Sequence, residues 1–223
     1  ISQLNIKRKK SNYSINSKIF DGAKILDRIL FSKSEGNFFD VFEKLNSKIS
    51  INFNTIYITN EDYLTNFKTD MIVNNNQIKD LVLSSQFSTK EDLKLSIKTN
   101  SNNERITDLF AGNAKPLVKK YDFIKGFEGG YLKFDSIEKN KVSNSNLKIF
   151  DFKLKEVPAL TKLLTLASLQ GIADLLTGEG IRFNEFEMIF NNKDGLMTIE
   201  EIYSLGPSIS ILMDGYIQKD DLV

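Results

Sequence analysis

The stretch from Phe190 to Glu201 comes nearest to a chemical motif. Asn192, Asp194, Gly195 and Glu201 fall at the third, fifth, sixth and twelfth places of a calcium loop. That chemistry needs a ring of hard oxygen ligands opened by an Asp. Phe190 stands in the first place, and the flanking residues alternate as strands instead of forming helices. The stretch therefore reads as a β-hairpin turned at Asn192-Lys193-Asp194-Gly195.

Other chemistry is excluded by residue type. The 223 residues include no His and no Cys. Without Cys there is no disulfide, thiolate metal site or thiol nucleophile. Without His the usual neutral-pH base and the commonest metal ligand are missing. Zinc hydrolases, Ser-His-Asp enzymes and His-dependent phosphoryl transfer are thereby ruled out. Gly126-Phe127-Glu128-Gly129-Gly130 precedes a strand instead of linking a strand to a helix, so it is not a dinucleotide fingerprint. There is no GK[ST] phosphate loop. Asp151 interrupts an apolar strand, and a lone carboxylate there reads as an outward-facing residue. No carboxylate pair stands out for acid–base work. The expectation is a non-enzymatic chain with no cofactor and no metal.

Charge excludes a further class. Thirty Lys and Arg against 29 Asp and Glu leave a net charge of +1. A dedicated nucleic-acid binder is usually basic and clustered, so no nucleic-acid partner is expected. The basic run Lys7 to Lys10 reads as a solvated strand end or turn. Absence of Cys fits an envelope protein, and no signal peptide or transmembrane helix is visible. The chain begins at Ile1 without Met and reads as a piece of a longer protein.

The elements that would carry any site are mostly strands. Asp21 caps an expected helix with Ala23, Leu26, Ile29 and Leu30 on one face, and Phe38 to Leu45 reads as a weak helical turn. Period two begins at Lys48, with Ile49, Ile51, Phe53, Thr55 and Tyr57 in phase. Leu64 to Val73 and Ile78 to Phe87 follow, turned through Asn74-Asn75-Asn76, and Leu93, Leu95 and Ile97 alternate with Lys and Ser. Short strands joined by Asn, Ser, Thr and Lys turns predict an antiparallel meander with one apolar face. Ile106 to Phe123 is expected to be helical, with Leu117, Val118, Tyr121 and Ile124 buried. The Gly126, Gly129 and Gly130 set should make a turn. Tyr131 to Ile137 should pair with Leu147 to Leu154 across 140–146. Ile181 to Phe190, Leu196 to Tyr203 and Ile209 to Ile217 complete the strands, with a Gly206-Pro207 turn. Between Phe183 and Phe186 the apolar phase slips, which predicts a bulge near Asn184-Glu185.

Val157 to Gly180 is the longest apolar tract. Pro158 opens it, as a first helical turn allows. Leu160, Leu163, Leu164 and Ala167 recur at helical spacing, as do Leu169, Ile172, Ala173 and Leu176. Ser168 joins them as an N-cap, so the tract predicts a helical pair or a kinked helix at about 158–177. Lys162, Gln170 and Asp174 are too costly for a membrane span.

The segment from Phe150 to Ile217 carries a family likeness. It holds a strand, a Pro-Ala-Leu helix start, LASLQGIADLLTGEGIRF, a further strand, an Asp-Gly hairpin and a Gly-Pro turn before the next strand. Upstream, YDFIKGFEGGYLKF from Tyr121 to Phe134 fits the same pattern. The sequence resembles the AsmA-like family of Gram-negative envelope proteins, in its YhdP/TamB branch, specifically over about 108–217 and only generally before that. The resemblance implies one fragment of a longer protein with a curved, groove-like (β-taco) sheet lined by apolar side chains. It implies a periplasmic location, anchored in the inner membrane outside this fragment. It further implies carriage of phospholipid between inner and outer membrane and support of outer-membrane integrity, with no catalytic residues to transfer. Together with the apolar strands, it nominates Leu160, Leu163, Leu164, Leu169, Ile172, Leu175 and Leu176 as groove-side helix residues. Phe183, Met188, Ile199, Ile209 and Ile211 are the strand candidates. Roughly eleven strands at about 4.8 Å each span on the order of 50 Å, too short to bridge two membranes. The alternative is a periplasmic assembly scaffold that binds outer-membrane proteins through exposed strand edges.

Overall fold

The structure, a computed structural model, describes residues 3–23, 44–59, 61–121, 126–155, 180–194, 196–207, 209–218 and 221–222. The expected helix after Asp21, the turn at Phe38 to Leu45 and the helical pair at 158–177 lie almost wholly outside those residues. So do Leu160, Leu163, Leu164, Leu169, Ile172, Leu175 and Leu176.

The protein is mainly β, with antiparallel pairing dominant. Among the described residues its strands are hydrogen-bonded in chain order, and no pair joins the last strand to the first. That is the open meander expected from the period-two segments, and it is the arrangement a groove-like sheet requires. Thirteen strands occur among the described residues, more than the eleven expected. Two compact units divide at Leu109 and Phe110.

The first unit contains β1 (Asn5–Lys9), β2 (Asn12–Asp21), β3 (Ser47–Tyr57), β4 (Tyr63–Asn74), β5 (Gln77–Phe87), β6 (Asp92–Thr99) and most of β7 (Arg105–Ala111). β2 and β3 pair in parallel, an exception to the expected antiparallel order. Parallel neighbours need a crossover connection, here the chain between Asp21 and Ser47. Asn75 and Asn76 both take positive φ between β4 and β5, as a two-residue hairpin turn demands. One face forms the core: Ile49, Met71, Leu81 and Ile97 oppose one another across four strands. None of the four is more than 7% exposed. Leu64 and Phe87 make a second such pair, at 0% and 2%. Across β3 to β6 this apolar face is largely packed shut, whereas toward β1 the row Ile51, Ile15 and Ile6 opens until Ile6 is 57% exposed.

The second unit contains helix α1 (Lys115–Tyr121), β8 (Phe127–Lys139), β9 (Val142–Leu154), β10 (Ile181–Lys193), β11 (Leu196–Leu205), β12 (Ser210–Gln218) and the two-residue β13 (Asp221–Leu222). The helix is far shorter than expected, because 105–111 is a strand. Leu109 and Ala111 are buried at period two, and Asn113 accepts the Lys115 N–H at 3.2 Å to start the helix only there. Pro116 then sits in the first turn, and Leu117 and Val118 are buried. β8 and β9 extend well beyond the expected bounds and turn tightly through Asn140 and Lys141, both at positive φ. Asp194, also at positive φ, lies in the β10–β11 turn, so the calcium-like motif is a hairpin.

Two other expectations are corrected. Gly129 and Gly130 do not form a turn; they lie inside β8 at φ 72° and 74°. The phase slip in β10 is real, but no residue is inserted at Asn184-Glu185. Phe183 pairs with Phe152 and Glu185 with Phe150, so the β9–β10 register runs straight through. The slip is shared by three strands. The inward apolar set passes from Phe127 to Leu132 in β8, from Phe152 to Ile149 in β9, and from Phe183 to the half-buried Phe186 in β10. The level where they change is the row Gly130, Asp151 and Asn184, and Asp151 also takes positive φ, 54°. A Cβ on Gly130 would lie 2.9 Å from Phe152 Cβ and 3.5 Å from Ile149 Cγ2. Both phases of β9 therefore approach Gly130 from one side. The inserted residue is in β11, where the register with β10 shifts between Ile189 and Phe190 and leaves Glu200 unopposed.

Gly130 and Gly129 separate two costs. Both require the left-handed region, but only Gly130 is crowded, with the Phe150 carbonyl oxygen 2.8 Å from where a β-methyl would sit. Gly129→Ala should cost about 1 kcal/mol from backbone strain alone. Gly130→Ala should cost roughly 2–4 kcal/mol. Urea unfolding of the two variants checks the order; equal losses would contradict it.

Candidate functional site

The site is best built from the rows that cross the second unit. In an antiparallel sheet, directly opposed residues point to the same face. Phe134 opposes Leu147, Leu147 opposes Met188, Met188 opposes Ile202, and Ile202 opposes Met213. This makes one apolar row across β8 to β12. Phe134, Leu147, Met188 and Ile202 are half-buried and Met213 is 51% exposed. Four strand spacings give the row a length of about 19 Å.

Its neighbours close one end and finish the other. Toward the phase switch lies the row Leu132, Ile149, Phe186, Ser204 and Ile211. Beyond the switch Phe152 stacks on Phe127 at 5.1 Å and on Phe183 at 5.2 Å, filling the space left by Gly129 opposite it. Phe183 is 2% exposed and Ile181 fully buried, so that end is closed. On the hairpin side lies the row Ser136, Ser145, Phe190, Ile199 and Gly215. The serines of these rows are satisfied internally, and the next row toward the hairpins is polar, with Glu138, Ser143 and Asn192. Ser136 and Ser145 share a 2.8 Å hydrogen bond, and the Ser204 hydroxyl donates to the Glu185 carbonyl at 3.1 Å. These three rows make no polar demand on a ligand.

The Glu200 bulge is what keeps β11 in phase. Ile199 and Ile202 are three residues apart and would normally face opposite sides. With Glu200 unopposed, Ile199 meets Phe190 and Ile202 meets Met188. A shallow depression beside the bulge, between Glu200 and Asp214, is open to solvent.

The opposite face carries charge. Lys148 and Glu187 form an ion pair at 3.0 Å, and the Asn146 amide donates to Glu187 at 2.7 Å. Burial pushes the Glu187 carboxyl up, but the hydrogen bonds from Lys148 and Asn146 and the Lys148 charge outweigh it and hold the carboxyl below its ordinary value. The hydrogen bond to Glu187 raises Lys148 above its ordinary value, against the opposing effect of burial. Among the described residues no group of three or more carboxylates is placed to hold a metal. No described helix is long and apolar enough to cross a membrane.

Of the strand candidates, Met188 lies at the centre of the half-open row. Ile211 and Ile199 fall in the rows on either side of it. Phe183 belongs to the closed aromatic stack. Ile209 is half-buried in the turn before β12, its carbonyl accepting the Gly206 N–H at 2.9 Å. Phe134, Leu147, Ile202 and Met213 are not among the sequence candidates, although each sits in an alternating stretch. Only cross-strand register brings them to Met188. Comparison with protein-family models, curated proteins and solved structures found no match.

The ion pair gives a pH prediction. A carboxyl depressed in the folded state contributes stability above its ordinary value of 4.5 and loses it as pH falls through the folded value. The raised Lys148 contributes below its ordinary 10.5 and loses that contribution as pH rises through the folded value. Glu187→Gln should therefore cost about 1 kcal/mol across the neutral range. The gap from the parent should narrow in acid and in strong base. Urea midpoints taken across the pH range check this; a gap that persists in acid would contradict it.

Proposed function

We propose that this chain is a non-enzymatic segment of a periplasmic β-groove that carries phospholipid acyl chains between the inner and outer membranes and so supports outer-membrane integrity. The observation that supports this reading is the half-open apolar row Phe134–Leu147–Met188–Ile202–Met213. Its length of about 19 Å is close to the roughly 15 Å depth of one leaflet of a 30 Å hydrocarbon core. An acyl chain laid along it would recover about 0.8 kcal/mol for each methylene withdrawn from water. No hydrogen bond would have to form or break, so the chain could move without a specific polar stop. The packed face of the first unit is scaffold in this reading, and the second unit does the carrying. The likeness to the AsmA-like family in the sequence points the same way.

A second reading has its own support. Among the described residues β12 pairs outward with β13 at Ile217 and Gln218. Its side chains Leu212 and Met213 are 71% and 51% exposed on opposite faces. Exposed apolar side chains on both faces of one strand could contact an outer-membrane protein, as an assembly scaffold would.

Native mass spectrometry of protein purified without detergent separates the two. The groove reading expects bound phospholipid, reduced at least about tenfold by Met188→Glu, since a carboxylate beside an acyl chain is strongly disfavoured. Leu212→Glu, on the other face of the same sheet, should leave the lipid in place. Lipid-free protein, or equal loss in both variants, would move the assignment to the scaffold.

A further inference from the structure

We propose that the outward face of β11 and β12, opposite the apolar row, docks an extended segment of a partner polypeptide in which a cation lies between two apolar side chains. This rests on the side chains of those two strands and not on the acyl-chain reading. Single exposed leucines are ordinary on any surface. Here large side chains gather on one face of two neighbouring strands. Leu205, Leu212 and Tyr216 are 39%, 71% and 43% exposed. Tyr203 opposes Leu212 and is half-buried. Leu212 and Tyr216 lie on the same face of β12.

Between them stands charge of one sign. Asp214 lies midway between Leu212 and Tyr216 on β12. Ile199 meets Gly215 and Ile202 meets Met213, so Glu200 and Glu201 together oppose Asp214. The Asn191 amide donates to Glu200 at 3.1 Å on this face. All three carboxylates are exposed, and with Leu212 and Tyr216 they line the shallow depression beside the bulge. β11 and β12 contain no Lys or Arg. Among the described residues no cation pairs with these carboxylates.

The order apolar, acidic, apolar selects the occupant. Successive levels along β12 are about 6.8 Å apart, the spacing of alternate residues in an extended chain. A segment with apolar side chains on either side of a Lys or Arg therefore meets each level with its complement. Complementary charge of this kind fixes register and speeds encounter. The segment lies on the face of the sheet, so it needs no free strand edge. An anionic membrane or a nucleic acid would be repelled. A small polyamine would leave Leu212 in water. A divalent ion needs converging oxygen ligands, and among the described residues no such group is found.

The probe is a peptide of two tandem Leu-Ser-Arg-Ser-Leu units, titrated into the full chain and followed by amide NMR shifts. Shifts should centre on 196–218. Affinity should fall as salt rises from about 0.01 M to about 1 M, where the screening length shrinks from about 30 Å to about 3 Å. Glu201→Lys with Asp214→Lys should weaken binding at least about tenfold. Glu61→Lys with Glu91→Lys, the same charge change in the first unit, should leave it within about twofold. Leu212→Ser should weaken it at least about threefold. The salt series on the parent chain stands even if a variant fails to fold. Bound phospholipid in native mass spectrometry should be unchanged by the Glu201 and Asp214 pair, which keeps this proposal separate from the acyl-chain reading. Equal binding of a peptide with Glu in place of Arg, spermidine binding as tightly as the peptide, equal loss in the two double variants, or shifts centred elsewhere would overturn it.

Discussion

The structure depends on keeping apolar side chains on one face while the backbone stays paired. Period two makes this easy over short strands, but β8, β9 and β10 are each 13 residues long. Their apolar pattern reverses phase partway along. A reversal in one strand alone would turn that strand's apolar residues outward from the shared face. Here all three reverse at the row Gly130, Asp151 and Asn184, with Gly130 and Asp151 at positive φ. Glycine reaches that region freely, and Asp is among the few side chains that tolerate it. Register survives, and the rows on both sides of the switch stay in line.

The first unit meets the same constraint with different residues. Its buried set changes parity from Phe53 to Ile56 in β3 and from Leu64 to Phe67 in β4. The row between holds Asn54 and Asn66, and Asn66 has φ 52°. β3 and β4 stay in register there, while β4 gains a residue against β5 between Thr65 and Lys68. In β11 the device is the unopposed Glu200. Positive φ in one strand and an extra residue in another both achieve the same end. The outcome differs between units: the first largely closes its apolar face over β3 to β6, whereas the second leaves a five-strand row half-open.

Strands are legible in the sequence wherever period two and an Asn- or Asp-bearing turn coincide, as at Asn75-Asn76 and Asp194. β7 reads as helix because Ile106, Leu109 and Phe110 also fit helical spacing, and a seven-residue strand is too short to break the tie. Gly129-Gly130 reads as a turn because paired glycines usually mark turns, and their use inside a strand is set by Phe152 on the neighbouring strand. The parallel β2–β3 pair has no local signal at all. The phase slip in β10 is visible, yet its remedy lies in β8 and β9. The site shows the same limit. Met188 can be nominated from its own strand, but Phe134, Leu147, Ile202 and Met213 join it through register, which no single strand encodes.

The most direct test of the central claim is face-resolved photocrosslinking. A benzophenone amino acid placed at Met188 should crosslink to phospholipid acyl chains when the protein is loaded with lipid. The same group at Glu187, one residue away on the charged face, should not. Crosslinking confined to position 188 is the result the account requires. Equal crosslinking at both positions, or crosslinking at 187 alone, would contradict it.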